Sequence, residues 1–224
     1  MKIHHIFFDF DGTIVDSSLG IYRAFAKACS DHELAAPDFE HFKSFIGPPI
    51  ADILRNLFPD CQPELHHSFI ESFRFQYDNF CFKDFTVYPF VTTTLRALVD
   101  AHRINLYIVT NKPTQITNKM LSIAALPFFK GVYGIDYLAV LFNDPNQTFH
   151  SKAQALSYVM TSNQIQAKNA VYVGDTLGDF QSATLNNLSF VACDYGFFDW
   201  QSQLASKKIT CLVSSFDHIL QICL

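Results

Sequence analysis

The feature that most constrains this chain is a short apolar strand near the N-terminus that ends at two carboxylates. Asp9 and Asp11 directly follow the apolar run at 6–8, and Gly12 and Thr13 come next. Side chains alternate along a strand, so the two acids share one face of the sheet. Burying unpaired carboxylates is costly, and two so close together repel each other. The pattern indicates either a solvated Asp-Gly turn or a site that binds a cation or divides the roles of nucleophile and proton donor.

Hydrophobic periodicity divides the remaining chain into a helical part and a part in which strands and helices alternate. No strand pattern interrupts residues 16–85, and alternation of strand with helix after them indicates a mostly parallel sheet. We therefore predict an α/β fold: a Rossmann-like core (1–15 and 86–224) with helices on both faces, and a small all-helical cap (16–85) inserted after the first strand. Buried strands are predicted at 104–110 and 170–174, with weaker ones near 131–135, 188–193 and 211–214.

Aromatic residues are expected to form the core of the helical segment, since the chain has 24 Phe. Helical spacing places the apolar residues of two helices on single faces. The first helix carries Leu19, Tyr22, Ala26 and Cys29, and the last, predicted from Pro63 to about Lys83, carries Leu65, Phe69, Phe73, Tyr77 and Phe80.

The charge distribution argues against nucleic acid as a partner. Residues 16–85 contain 11 acidic and 6 basic residues, whereas the rest of the chain contains 10 of each. A nucleic-acid binder needs a basic stripe, and the sequence has none. The apolar runs are shorter than the ~20 residues that cross a bilayer, and no secretory signal is evident. The six cysteines lack metal-type spacing, so we expect them to be reduced and the protein to be cytoplasmic.

Polar clusters follow every strong strand of the predicted sheet. Ligands of open α/β sheets bind beyond the carboxyl ends of the strands, where these clusters would meet. Several carboxylates facing one pocket repel each other unless a hard cation is bound, and Mg²⁺ suits oxygen ligands best. Lysine and hydroxyl groups beside them suit an anion, and the combination is typical of phosphoryl transfer, in which Asp can be the nucleophile. The polar residues predicted to meet at this edge of the sheet are Asp9, Asp11, Thr110, Asn111, Lys112, Lys152, Asp175 and Asp179.

These residues resemble the four motifs of haloacid dehalogenase superfamily phosphatases with a helical cap. The stretch Asp9-Phe10-Asp11-Gly12-Thr13 matches the first motif, Thr110-Asn111 the second, Lys152 the third and Gly174-Asp175-x-x-x-Asp179 the fourth. Four motifs in order over almost the whole chain are a specific signal. The segments Phe45-Ile46-Gly47-Pro48-Pro49, Tyr88-Pro89 and Tyr195-Gly196 are similar to the phosphoglycolate phosphatase and 5′-nucleotidase-like branch.

The resemblance implies a role for each residue. Asp9 would attack the phosphoryl group, and Asp11 would protonate the leaving oxygen and then deprotonate water. Mg²⁺ would be held by the Asp9 carboxylate, the Asp11 main-chain carbonyl and Asp175, with Asp179 in support. Phosphate or substrate would be bound by Gly12, Thr13, Thr110, Asn111 and Lys152. Lys112 either contacts substrate or caps the site, and Gly47 lies either on a substrate-binding loop of the cap or at a plain helix break. A carboxylate at position 11 favours phosphate esters over carbon–halogen or carbon–phosphorus bonds.

The chain departs from the family pattern in three places, one of which is the stretch Val140–His150, where the usual Gly-Ser-Asp sequence before the lysine is missing. Phe90 replaces the glycine after Tyr-Pro, and Lys152 is followed by Ala153 instead of Pro. The expected substrate is a small phosphorylated metabolite, and the expected state is a monomer or homodimer. Three alternatives stay open: a sugar phosphomutase with the same motifs, a phospho-accepting receiver module, and an inactive binding protein. The receiver is disfavoured because its nucleophile normally lies on a later strand.

Overall fold

The computed structural model describes residues 3–100, 104–201 and 211–223 of a chain that divides into two compact units. The first unit is Met1–Val15 with Val87–Leu224, and the second is Asp16–Thr86. That these units are a catalytic core and a cap stays a prediction from the sequence.

The larger unit is built on a six-stranded sheet in which every neighbouring pair is parallel. The predicted Rossmann-like α/β fold is therefore confirmed. The strand order is β5-β4-β1-β6-β7-β8, while β2 and β3 form a separate two-stranded sheet. The strands are β1 (His5–Phe8), β2 (Val15–Asp16), β3 (Thr86–Val87), β4 (Asn105–Val109), β5 (Phe129–Tyr133), β6 (Ala170–Gly174), β7 (Ser189–Cys193) and β8 (Leu212–Val213).

Ten α-helices are present among the described residues, and α1–α4 belong to the smaller unit. None of those described helices has the length and apolar character to span a membrane. The helices are α1 (Ser18–Asp31), α2 (Phe39–Lys43), α3 (Ile50–Leu57), α4 (Pro63–Asn79), α5 (Val91–Asp100), α6 (Thr114–Ile123), α7 (Tyr137–Phe142), α8 (Lys152–Ser162), α9 (Leu177–Leu185) and α10 (Ile219–Cys223). Short 3₁₀ turns lie at Cys81–Lys83, Ala167–Asn169 and Phe216–His218.

Alternation along the strands supplies two apolar faces to the sheet. On one face, Phe7 and Tyr172 belong to a buried cluster that also contains Leu156 of α8 and Ala183 of α9. On the other face, the ring of Phe8 stacks on Phe216 at 5.7 Å between centroids. Helical or turn segments therefore cover both faces, as expected for strands that are apolar on both sides.

The register of the sheet brings the carboxyl ends of three strands to one level. Phe8 of β1 pairs with Ile108 of β4 and with Val173 of β6. The chain leaves β1 for β4 and β5 on one side and then crosses to β6 on the other side. This reversal next to β1 is a switch point, where open parallel sheets form a crevice.

The smaller unit has the expected aromatic core, but two predicted faces are partly wrong. On α1, Leu19 is 42% exposed and Phe25 is buried, because the Phe25 ring packs on Phe42 and Phe69 with centroids 4.7 and 5.1 Å away. On α4, the helix ends at Asn79, so Phe80 leaves the stripe and is 58% exposed.

Helix α7 was not predicted from the sequence. Its residues Tyr137–Phe142 are all apolar, and none of them is fully buried. A short run without polar residues has no amphipathic period, so it does not distinguish a helix from a strand.

Candidate functional site

Asp9 directly follows β1 and is only 5% exposed. Its Oδ2 lies 2.9 Å from Nζ of Lys152. Its Oδ1 is buried and has no hydrogen-bond partner in the described part of the chain. A buried carboxylate oxygen without a donor is unfavourable, so this atom marks a place where a ligand can supply the missing interaction.

Lys152 is the first residue of α8 and bridges two acids. Besides Asp9, its ammonium donates to Oδ1 of Asp179 at 2.5 Å. A cation at a helix N-terminus opposes the helix dipole, and a buried lysine loses hydration. Both costs are offset here by two carboxylates, so Lys152 is held in place as part of the site.

Asp179 accepts four hydrogen bonds. In addition to Lys152, the hydroxyl of Tyr172 donates to Oδ1 at 3.2 Å. The backbone N–H and the hydroxyl of Thr176 donate to Oδ2 at 2.9 and 2.7 Å. Because a carboxylate has about four lone-pair positions, Asp179 is fully occupied by the protein.

Asp179 and Thr176 also stabilise the first turn of helix α9, because they are three residues apart. Thr176 is the N-cap, and the two residues form a reciprocal capping box. Such a box satisfies two of the backbone N–H groups that a helix start leaves unpaired. The Gly-Asp-x-x-x-Asp motif therefore builds the helix that carries its own second acid.

Asp175 lies on the loop between β6 and α9 and is fully buried. The hydroxyl of Thr13 donates to its Oδ1 at 3.2 Å. Gly12 has φ +77°, and a Cβ there would lie 2.0 Å from Oδ2 of Asp175. Glycine is needed at position 12 for both reasons, since other residues rarely adopt this φ and would displace the carboxylate.

Burial and the neighbouring charges raise the pKa of both Asp9 and Asp175. Burial raises the pKa of Asp9 to about 6, the negative charge of Asp179 acts in the same direction, and Lys152 opposes both. Burial and the charges of Asp179 and Asp9 raise the pKa of Asp175 well above its ordinary value. Burial alone would lower the pKa of Lys152, but the charges of Asp179 and Asp9 outweigh it and raise that pKa. A further cation beside Asp9 and Asp175 would favour the charged forms of these two carboxyl groups.

The donor set fits a hard divalent cation. One carboxylate oxygen from each of Asp9, Asp175 and Asp179 lies within 4.8 Å of the others. Oxygen-only ligands suit Mg²⁺, which also retains several waters. Since the protein already occupies Asp179, the unpaired oxygen of Asp9 and the carboxylate of Asp175 are the best direct ligands.

Asp11 points to a different partner from the other acids. Nζ of Lys112 lies 3.1 Å from both of its carboxylate oxygens. The Lys112 side chain is 5% exposed and that of Asp11 is 22% exposed. The sequence left Lys112 open between contacting substrate and capping the site, and the structure pairs it with Asp11 within the site.

The remaining predicted residues differ in position. Thr110 follows β4 and is 2% exposed, and its hydroxyl accepts a hydrogen bond from the backbone N–H of Lys112 at 3.3 Å. Asn111 is exposed. Gly47 belongs to the smaller unit, so its contact with substrate stays a prediction.

Several residues that contact the acids were not predicted from the sequence, and Tyr172 and Trp200 are the largest of them. Tyr172 donates to Asp179 and, at 2.8 Å, to the main-chain carbonyl of Val109. Trp200 donates from its indole N–H to the main-chain carbonyl of Asp175 at 2.8 Å. A tyrosine inside an apolar strand needs a partner for its hydroxyl, and this signal could have identified the first of them.

Comparison with known proteins identifies the family to which the chain belongs. The family model described as haloacid dehalogenase-like hydrolase matches residues 6–193. A 5′-nucleotidase of Pseudomonas aeruginosa is 26% identical over 203 residues, which cover 88% of this chain and 85% of that protein. A phosphoglycolate phosphatase of Yersinia pseudotuberculosis is 22% identical over 97% of this chain and 92% of that protein.

Solved structures share the fold. A haloacid dehalogenase-like family hydrolase of Streptococcus pneumoniae has a TM-score of 0.87 and 24% identity, and the match covers 99% of both chains. The family model spans most of this chain and includes Asp9, Asp11, Lys152 and both acids of the fourth motif. The chain therefore belongs to the haloacid dehalogenase-like hydrolase family.

Proposed function

We propose that this protein is a Mg²⁺-dependent phosphatase that hydrolyses a small phosphomonoester through an aspartyl-phosphate intermediate. The observation that carries the proposal is the environment of Asp9. One of its carboxylate oxygens is paired with Lys152, while the other is buried and has no hydrogen-bond partner among the residues that the structure describes. A carboxylate oxygen of Asp9 also lies within 4.8 Å of one from Asp175. Lys152 thus fixes the orientation of Asp9, and the second carboxylate oxygen is available to bind a cation or to attack phosphorus.

In the first step, a carboxylate oxygen of Asp9 attacks phosphorus, and the bond from phosphorus to the ester oxygen breaks. Asp11 gives its proton to the departing oxygen, so the alcohol leaves neutral. In the second step, Asp11 takes a proton from water as the water oxygen bonds to phosphorus. The bond between Asp9 and phosphorus then breaks, which releases inorganic phosphate and restores both acids.

The surrounding residues prepare these steps. Lys152 keeps Asp9 oriented and places positive charge where phosphoryl oxygens gather. Thr110 and Asn111 are proposed to bind the phosphoryl group. Asp9, Asp175 and the Asp11 main-chain carbonyl would hold Mg²⁺, which supplies neutralisation of the phosphoryl charge when bound.

The substrate class is inferred from the named relatives. A 5′-nucleotidase and a phosphoglycolate phosphatase are both similar to this chain. We therefore propose a nucleoside monophosphate or a small phosphoglycolate-like acid as substrate. Cytoplasmic location and a monomeric or homodimeric state stay predictions from the sequence.

The test is a panel of phosphoglycolate, nucleoside 5′-monophosphates and hexose phosphates, with phosphate release measured in Mg²⁺ and in EDTA. Asp9→Asn should release no phosphate, whereas Asp100→Asn, an exposed acid at the end of α5, should behave as wild type. Acid-quenched wild-type enzyme should carry one phosphoryl group on the peptide containing Asp9. Full activity of Asp9→Asn, or release unaffected by EDTA, would contradict the proposal. Turnover only with a hexose bisphosphate would identify a mutase instead.

A further inference from the structure

Trp200 is the one tryptophan of the chain, and it is anchored to an acid of the site. Its side chain is fully buried in the segment that follows β7. The indole N–H donates to the main-chain carbonyl of Asp175 at 2.8 Å. A buried indole N–H normally has a partner, but here the partner is the backbone of a proposed metal ligand.

The same segment also holds the side chain of Asp175. The backbone N–H of Phe197 donates to Oδ2 at 2.8 Å. The hydroxyl of Thr13 donates to Oδ1, so both carboxylate oxygens and the main-chain carbonyl have donors. Each carboxylate oxygen retains a lone pair for a further ligand.

Gly196 allows this segment to lie directly against Asp175. A Cβ at position 196 would lie 2.2 Å from Cβ of Asp175 and 2.6 Å from the carbonyl oxygen of Gly12. Together with Gly12 on the first motif, Gly196 leaves Asp175 no room to shift toward either glycine. The position of Asp175 is thus set by close packing as well as by hydrogen bonds.

The direction of the indole N–H is set by the core, independently of Asp175. The Trp200 ring meets Phe198 at 4.8 Å in an edge-on arrangement and Phe190 at 5.8 Å between centroids. A ring packed in this way has little freedom to rotate. Because the indole is fixed by the core, its hydrogen bond also restricts the position of the Asp175 backbone.

We propose that Trp200 is a positioning residue for the metal site: it holds Asp175 where its carboxylate can bind a divalent cation. The inference rests on the proposed Mg²⁺-dependent function. Partners that orient a metal ligand typically change metal affinity by about 10- to 100-fold when they are removed. The N–H of Trp200 is such a partner, acting through the backbone of Asp175.

The first test is Mg²⁺ binding measured by calorimetry, without substrate, on wild type, Trp200→Phe and Phe190→Leu. Trp200→Phe keeps an aromatic ring but loses the N–H, so its affinity should fall about tenfold or more. Phe190→Leu removes the more distant ring contact but keeps both the nearer contact with Phe198 and the N–H, so its affinity should stay within about threefold of wild type. Equal affinity of Trp200→Phe and wild type would overturn the proposal, as would an equal loss in Phe190→Leu.

A second measurement does not require Trp200→Phe to fold. The single indole N–H of the wild-type protein gives one NMR resonance, which should shift when Mg²⁺ is added. The midpoint of this shift should equal the midpoint of the calorimetric titration. The shift should vanish in Asp175→Asn. If calorimetry records Mg²⁺ binding but the resonance does not move, the proposed role of Trp200 is contradicted, whereas the metal dependence of the enzyme is not. Absence of any Mg²⁺ binding in wild type would instead contradict the metal dependence of the proposed function, and this inference with it.

Discussion

Lys112 directs its ammonium group at both carboxylate oxygens of Asp11, with Nζ 3.1 Å from each. Asp11 is the residue to which we assign the two proton transfers. An ammonium group this close to both oxygens restricts the position of the carboxylate group. Lys112 is therefore better suited to orient Asp11 than to bind substrate directly.

Lys112→Gln should lower kcat by about 10- to 100-fold, because a misplaced catalytic group loses rate steeply. KM should change little, since the substrate keeps its own contacts. Steady-state kinetics separate the two parameters, with Lys119→Gln on the exposed side of α6 as the matched control. A raised KM with unchanged kcat would instead support the direct substrate contact that the sequence left open.

Tyr172→Phe should lower both stability and turnover. The change removes the hydroxyl that donates to Val109 and Asp179, and it leaves these buried acceptors with fewer donors. We expect a loss of about 1–2 kcal/mol in the free energy of unfolding, measured by urea denaturation. Tyr158→Phe, in a half-buried ring cluster, is the control. Unchanged stability and kcat would show that the hydroxyl contributes nothing.

Phe90→Gly should stabilise the protein. Phe90 has φ +65° and its side chain is 58% exposed. A non-glycine residue in the left-handed region costs about 1–2 kcal/mol, and the substitution removes this cost. Glycine also increases the entropy of the unfolded chain, which takes back about 0.4–1 kcal/mol of that gain. We expect a gain of about 0.5–1 kcal/mol in urea denaturation. Phe90→Ala removes the ring but keeps Cβ, so an equal gain there would contradict a backbone origin.

Asp31→Asn should destabilise the protein at neutral pH and lose its effect in acid. Lys27 donates to Oδ1 of Asp31 at 3.0 Å and Ser72 to Oδ2 at 2.8 Å, and these bonds lower the pKa of Asp31. Because the pKa is lower in the folded state, the charged carboxylate stabilises the fold fully at pH values above its ordinary pKa of 3.8. This stabilisation is lost as the pH falls through the pKa of the folded state.

The Tm difference between wild type and Asp31→Asn should therefore be full at pH 7 and shrink as the pH falls from about 4 toward 3. Asp60→Asn, in an exposed turn, is the matched control. A difference that stays constant over this range would exclude the ion pair and the hydrogen bond as its cause.

The strand ends were predictable because parallel strands bring their carboxyl ends to one edge of the sheet. Once 6–8, 104–110 and 170–174 were identified as strands, the polar residues after them had to come close. The structure brings Asp9, Lys152 and Asp175 together at this edge. Helix α7 and the buried face of α1 were not predictable, because an all-apolar run has no period and because Phe25 is selected by partners far along the chain.

The sequence by itself determined which residue types meet at the site, since motif order and strand alternation do not depend on distant contacts. Only the tertiary structure decided what each of them touches. Lys112 binds Asp11 across 101 positions of the chain, and Thr13 binds Asp175 across 162. Trp200 reaches Asp175 because the segment after β7 folds back over the strand ends. Such contacts depend on packing between segments that the sequence pattern does not relate, so they appear only in the folded chain.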